Sequence, residues 1–101
     1  MNINLQNKIS EIKKKYFETG FIILGIFGSY ARGEETEKSD IDILYSIDAT
    51  FPYKGLKKIY QLELIKNELK EYLGKEVDIV NRDALGDIGK KYILKDVVYV
   101  K

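Results

Sequence analysis

Cysteine, histidine and tryptophan are all missing from this 101-residue chain, and proline occurs once, at Pro52. Without cysteine there are no disulfides, no zinc–thiolate sites and no thiol catalysis. Without histidine there is no imidazole base, no Ser-His triad and no His-ligated metal. Any metal used here must be a hard cation held by oxygens, such as magnesium or manganese. Charge of one sign is also lacking: 17 basic against 16 acidic side chains leave a net charge of +1. That balance argues against strong global attraction to nucleic acid, and no direct nucleic-acid binding is expected. The longest apolar run, Phe21 to Phe27 with Gly25 inside it, is far too short to span a membrane. The N-terminal segment MNINLQNKISEIKKKYF has no uninterrupted apolar stretch of the kind a signal peptide needs, so the expectation is a cytoplasmic protein.

What remains is 45% hydrophobic and 33% charged, the balance of a compact folded chain, and residues 1–101 are expected to form one domain. Leu5, Ile9, Ile12 and Tyr16 fall at helical spacing, followed by Lys13–Lys15 near the helix end and Gly20 as a stop. FIILGIF, Phe21–Phe27, reads as a buried strand closed by Gly28 and Ser29. YARGEETEK is a short helical turn or an exposed loop, and DIDILYSI, Asp40–Ile47, is a second strand with one wet end. After the connection DATFPYKG, the positions Leu62, Ile65, Leu69 and Tyr72 predict a helix over about 56–73, stopped by Gly74. Glu76–Asn81 is a third strand. Asp83 is expected to cap a helix running through Leu85, Ile88 and Tyr92, and Val97–Val100 a last short β segment or extended tail. The order predicts a small mixed sheet with helices packed on it, an α/β or α+β layer fold.

The chemistry concentrates in GSYARGEETEKSDIDILY, Gly28 to Tyr45. On a strand, Asp40 and Asp42 project to one face while Ile41 and Ile43 project to the other. Two carboxylates roughly 6–7 Å apart repel by about 2–3 kcal/mol at an effective dielectric of 20, unless water screens them or cations bridge them. Asp78, in EVDIV, reaches the same cluster if its strand neighbours that of Ile41–Tyr45. Three aspartates on adjacent strand ends are the oxygen-rich set that two magnesium ions need in phosphoryl or nucleotidyl transfer. Gly28 allows close backbone approach to a ligand, N–H groups of the following turn can cradle phosphate, and the Ser29 hydroxyl adds a donor. Arg32 has two equal readings, a phosphate contact or an ion pair with Glu34 or Glu35. Taken singly, each piece has a plain alternative: a strand-end turn, a solvated strand edge, a capping acid. Taken together, Gly28, Ser29, Gly33, Asp40 and Asp42 at set spacing have a chance on the order of 10⁻⁴ in a chain of this length.

G-S-x-A-R-G followed by S-D-x-D resembles the signature of the polymerase-β-like nucleotidyltransferases, and within them the minimal nucleotidyltransferases that partner HEPN-domain proteins in toxin–antitoxin pairs. The resemblance implies that fold and an ATP-dependent adenylyltransferase. Gly28 and Ser29 would bind the triphosphate, with Arg32 a less settled contact. Asp40 and Asp42 would hold two Mg2+ ions, and Asp78 would hold the catalytic metal and help deprotonate the attacking hydroxyl. It further implies an antitoxin that moves AMP from ATP to a tyrosine hydroxyl of a HEPN ribonuclease toxin. Two other readings are open: an antitoxin that neutralises its partner by binding alone, and transfer to a small-molecule hydroxyl. The chain's small size leaves little room for an acceptor pocket, so a partner is expected to deliver the hydroxyl. The aromatic and aliphatic faces of the last two helices are candidates for that interface, although core packing explains most such positions.

Overall fold

The computed structural model describes residues 2–101. Helix α1, Ile3–Phe17, is capped by Asn2, whose side chain accepts from the Asn4 and Leu5 N–H groups at 2.7 and 3.4 Å. It leads into strand β1, Phe21–Phe27, then the single-turn helix α2, Ser29–Arg32, and strand β2, Ile41–Ile47. Helix α3, Gly55–Leu73, ends at Gly74 in the left-handed region, as the sequence predicts. Strand β3, Val77–Asn81, a 3-10 turn at Arg82–Ala84, helix α4, Asp87–Leu94, and strand β4, Val98–Tyr99, complete the order. Among the described residues, no helix is long and apolar enough to cross a membrane.

The four strands form one mixed sheet in the order β3-β2-β1-β4, with β2 and β3 parallel and the other pairs antiparallel. The expected layer fold is therefore the one observed. Its main core lies on one face of the sheet, where Ile9, Ile12 and Tyr16 of α1 and Ile65, Leu69 and Leu73 of α3 meet Phe21, Ile23, Ile26, Ile41, Ile43 and Tyr45. Phe21 stacks on Tyr45 with ring centroids 4.6 Å apart and takes the edge of Tyr16 at 5.7 Å.

Strand β1 changes phase on the way to its end. Phe21 and Ile23 face the core, then Leu24 is left without a partner in β2, and from there Gly25 pairs with Leu44, Ile26 with Ile43 and Phe27 with Asp42. This bulge returns Ile26 to the core and sends Gly25 and Phe27 to the opposite face. Gly25 is needed there because β4 crosses close above it: a Cβ would press on the Val98 carbonyl oxygen and come within 2.9 Å of the Tyr99 Cα.

Three expectations need correction. Asp83 does not cap α4. It sits inside the 3-10 turn, where its N–H donates to Asn81 Oδ1 at 2.9 Å, and α4 begins four residues later, after Gly86. Asn81 takes the chain into a short side-chain-capped turn first, and that turn uses up the residues assigned to the helix. Tyr72 is not a core residue of α3. Its hydroxyl reaches Glu11 Oε2 at 2.8 Å on the surface, and Leu73 fills the core position instead. In α4 the expected stripe is turned outward, with Ile88 74% and Tyr92 60% exposed. The last segment is a strand paired to β1 over Val98–Tyr99, so the extended-tail alternative is set aside.

Candidate active site

The parallel pairing of β2 and β3 sets Asp42 directly opposite Asp78. Residues in register across neighbouring strands share a face and lie about 4.8 Å apart. Phe27 pairs with Asp42 from the other side, so one row across the face opposite the main core reads Phe27, Asp42, Asp78. Asp40 lies one residue before β2 rather than inside it, exposed and two residues from Asp42.

The crowding is visible in the titration of Asp42. Partial burial pushes its pKa above the ordinary 3.8, the charges of Asp78 and Asp40 push it further in the same direction, and Arg32 opposes them. Both neighbouring carboxylates therefore act on Asp42, and the single nearby guanidinium does not cancel them. Arg32 is itself held by two other carboxylates, with Nε 3.0 Å from Glu34 Oε2 and an Nη 3.3 Å from Asp96 Oδ2. Of its two expected readings, the ion pair with Glu34 is the one formed. Asp96, beyond α4, is a partner that no sequence spacing pointed to.

Gly28 connects the acids to the turn. Its backbone, at φ 77° and ψ −153°, occupies a region that only glycine enters freely. A Cβ added there would collide with Asp42 Oδ2 and lie 3.2 Å from its Cγ. The Asp42 carboxylate thus rests over the glycine backbone, and a side chain at position 28 would push it away. Ser29 opens α2 at once, the Arg32 N–H returns to the Gly28 carbonyl at 3.1 Å, and Gly33 ends the turn in the left-handed region. The N–H groups of such a first turn have no acceptor inside the helix.

A further residue joins the cluster from behind. Lys66 of α3 sets its Nζ 3.7 Å from Asp78 Oδ1. Nothing in the local sequence marks it, because the contact follows from how α3 packs along β3.

A hard divalent cation fits this donor set. The acids offer only oxygens, with Asp42 and Asp78 on adjacent strands and Asp40 just before one of them, and burial together with its two acidic neighbours raises the pKa of Asp42, which a cation would relieve. Among the described residues no three of them are drawn into a finished ligand shell, so side-chain adjustment would accompany binding. A cavity of about 370 Å³ lies elsewhere, between the end of α1 and α3, lined by Tyr16, Thr19, Phe51, Tyr53, Leu64 and Glu68 among others. Glu68 there is already engaged by the Tyr16 hydroxyl and by Lys15 at 3.3 Å, so the aspartate cluster remains the better seat for chemistry.

The family model for polymerase β nucleotidyltransferases matches residues 7–100. The chain belongs to that family. A Methanocaldococcus jannaschii protein provisionally named a protein adenylyltransferase is 42% identical to this nucleotidyltransferase over 101 residues, covering 99% of each. The protein adenylyltransferase MntA of Thermococcus cleftensis is 40% identical over 77 residues, covering 76% of this chain and 72% of its own. Among solved structures, one assigned as a minimal nucleotidyltransferase superposes with a TM-score of 0.73 at 25% identity, covering 97% of this nucleotidyltransferase and 95% of its own chain. A toxin–antitoxin crystal structure with AMP-PNP shares the fold, with a TM-score of 0.65 at 20% identity over 93% of this chain and 70% of that one.

Proposed function

We propose that this nucleotidyltransferase is an antitoxin that transfers AMP from ATP to a tyrosine hydroxyl of a HEPN-type ribonuclease toxin and thereby silences it. The observation that carries the reading is the row of Asp42 and Asp78 in register, with Asp40 beside them and Gly28 beneath the Asp42 carboxylate. The names of the adenylyltransferase relatives support a protein acceptor, and the AMP-PNP in the fold neighbour supports ATP as the donor.

In this reading Asp40, Asp42 and Asp78 would hold two magnesium ions, whose chemistry would be to neutralise the triphosphate and the charge that develops as the bond breaks. Gly28 and Ser29 hold the phosphates, the first by leaving room and the second through its hydroxyl and backbone N–H. Arg32 adds positive charge near Asp42, and a phosphate contact would require it to loosen from Glu34 or Asp96. Asp78 orients the acceptor and takes its proton. The acceptor oxygen attacks the α-phosphorus in line, the bond from that phosphorus to the oxygen bridging the α- and β-phosphates breaks, and pyrophosphate departs with the electron pair.

The test is incubation with α-labelled ATP, magnesium and the product of the reading frame adjacent to this one, which this reading expects to be a HEPN-type protein. Label should move to the partner, and Asp40→Asn combined with Asp42→Asn should reduce the rate at least about 10³-fold, as expected when transition-state charge loses its support. Undiminished labelling by that double variant would overturn the reading. Protection of cells by the double variant at normal dose would favour neutralisation by binding, and a mass gain on small hydroxylated compounds would favour a small-molecule acceptor.

A further inference from the structure

Helix α3 has two characters along its length. Ile65, Leu69 and Leu73 are buried in the core, whereas Leu56, Ile59 and Tyr60 in its first turns are 84%, 64% and 63% exposed. The spacing of these three puts them next to one another on one side of the helix. Single exposed apolar residues are ordinary, but three large ones in contact form a patch. Lys57 flanks it and Lys54 stands just before the helix, whereas Lys58 lies on the side of Ile65 and Leu69, and among the described residues neither Lys54 nor Lys57 is in an ion pair. No acid occurs between Asp48 and Glu63, so the local field is positive.

The patch also points somewhere. Ile59 and Lys66 are seven residues apart, two turns of helix, and so lie on the same side of α3, about 10 Å apart along the axis. Lys66 is the residue whose Nζ stands 3.7 Å from Asp78. One side of one helix therefore runs from the apolar patch to the aspartate cluster.

We infer that Leu56, Ile59 and Tyr60, with their lysine fringe, are the docking surface for the acceptor protein, which meets them with an apolar or aromatic anchor flanked by carboxylates. The inference rests on the reading that the acceptor hydroxyl belongs to a protein. A second copy of this chain is the poorer occupant, because two-fold pairing through the patch would set lysines against lysines. An acid-bearing partner neutralises the same lysines and speeds encounter. Anchored there, the partner needs to extend only about two helical turns further to bring a hydroxyl to Asp78.

The experiment is isothermal titration, without ATP, of the product of the adjacent reading frame, the expected HEPN-type protein, into four forms of the nucleotidyltransferase. These are the wild type, Leu56→Ser with Ile59→Ser, Lys54→Glu with Lys57→Glu, and Asp40→Asn with Asp42→Asn. Both α3 pairs should weaken Kd by at least about tenfold with Tm unchanged, and the aspartate pair should bind as the wild type does. Should the serine pair fail to fold, the charge-reversed pair carries the comparison alone. Equal binding by wild type and α3 variants, with AMP still transferred, overturns the docking surface and leaves the proposed activity standing. Weakened binding by the α3 variants without any AMP transfer upholds the surface and removes the activity. No binding by the wild type overturns both, and a wild-type dimer that the serine pair dissolves assigns the patch to self-association instead.

Discussion

Asp42 and Glu68 are carboxylates on opposite faces of the same sheet, and the fold treats them in opposite ways. Glu68, on the helical side, accepts from the Tyr16 hydroxyl and Lys15, and the first of these contacts holds its pKa below the ordinary 4.5. Asp42, on the other side, accepts no hydrogen bond at its carboxylate among the described residues, lies beside Asp78 and Asp40, and titrates above the ordinary 3.8 mainly because it is partly buried. One acid stabilises the structure in its charged form. The other is charged at the expense of the structure, and an acid kept under those conditions is better explained by a ligand than by folding.

That contrast can be broken at several points. The largest effect is expected from Gly28→Ala, which forces a side chain into a glycine-only backbone region and against the Asp42 carboxylate. It should cost about 1–3 kcal/mol, read by denaturant midpoint, and also displace Asp42 and reduce AMP transfer. Tyr16→Phe comes next, with a loss of about 0.5–1.5 kcal/mol at neutral pH from the missing hydroxyl. Because Glu68 is depressed, the contribution of its bond is present above 4.5 and fades as pH falls through the folded-state value. The difference between wild type and Tyr16→Phe in thermal melts should therefore shrink in acid.

Asp42→Asn should move stability the other way by about 0.5–1 kcal/mol, raising Tm by a few degrees while abolishing transfer. The sign follows from the raised pKa. Between 3.8 and the folded-state value the native protein holds more protons than the unfolded chain, so wild-type stability falls as pH rises through that window. The advantage of asparagine should then be full at neutral pH and vanish below 3.8, which thermal melts across pH would record. An Asp42→Asn protein less stable than wild type at pH 7 would mean that the carboxylate is structurally useful and the contrast false.

Much of this is legible in the sequence. The helix and strand order follows from periodicity, whereas the strand repeat does not extend to Asp40, which precedes β2, and the reach of Asp78 depends on the pairing of β2 with β3. What was hidden arises where alternatives look alike in one dimension. FIILGIF is apolar at every position except Gly25, so no pattern reveals that Leu24 is a bulge or that Phe27 belongs to the acid face. Leu73 and Tyr72 are both apolar and adjacent, and only the packing of α3 chooses between them. The Lys66–Asp78 and Arg32–Asp96 contacts join elements that meet in three dimensions, with no local signal to announce them.

The bulge at Leu24 has a consequence for how the chain can vary. Its residues can be exchanged, apolar for apolar, at modest cost, but their number cannot change. Without Leu24 the strand would keep its composition and its hydrophobicity, yet Ile26 would turn toward the acids and Phe27 toward the core. Gly28 would also be drawn about 3.3 Å back along the strand, away from the carboxylate it now underlies. Single-residue deletions in β1 should thus be far more damaging than deletions in the exposed stretch 34–38, though both remove the same amount of chain.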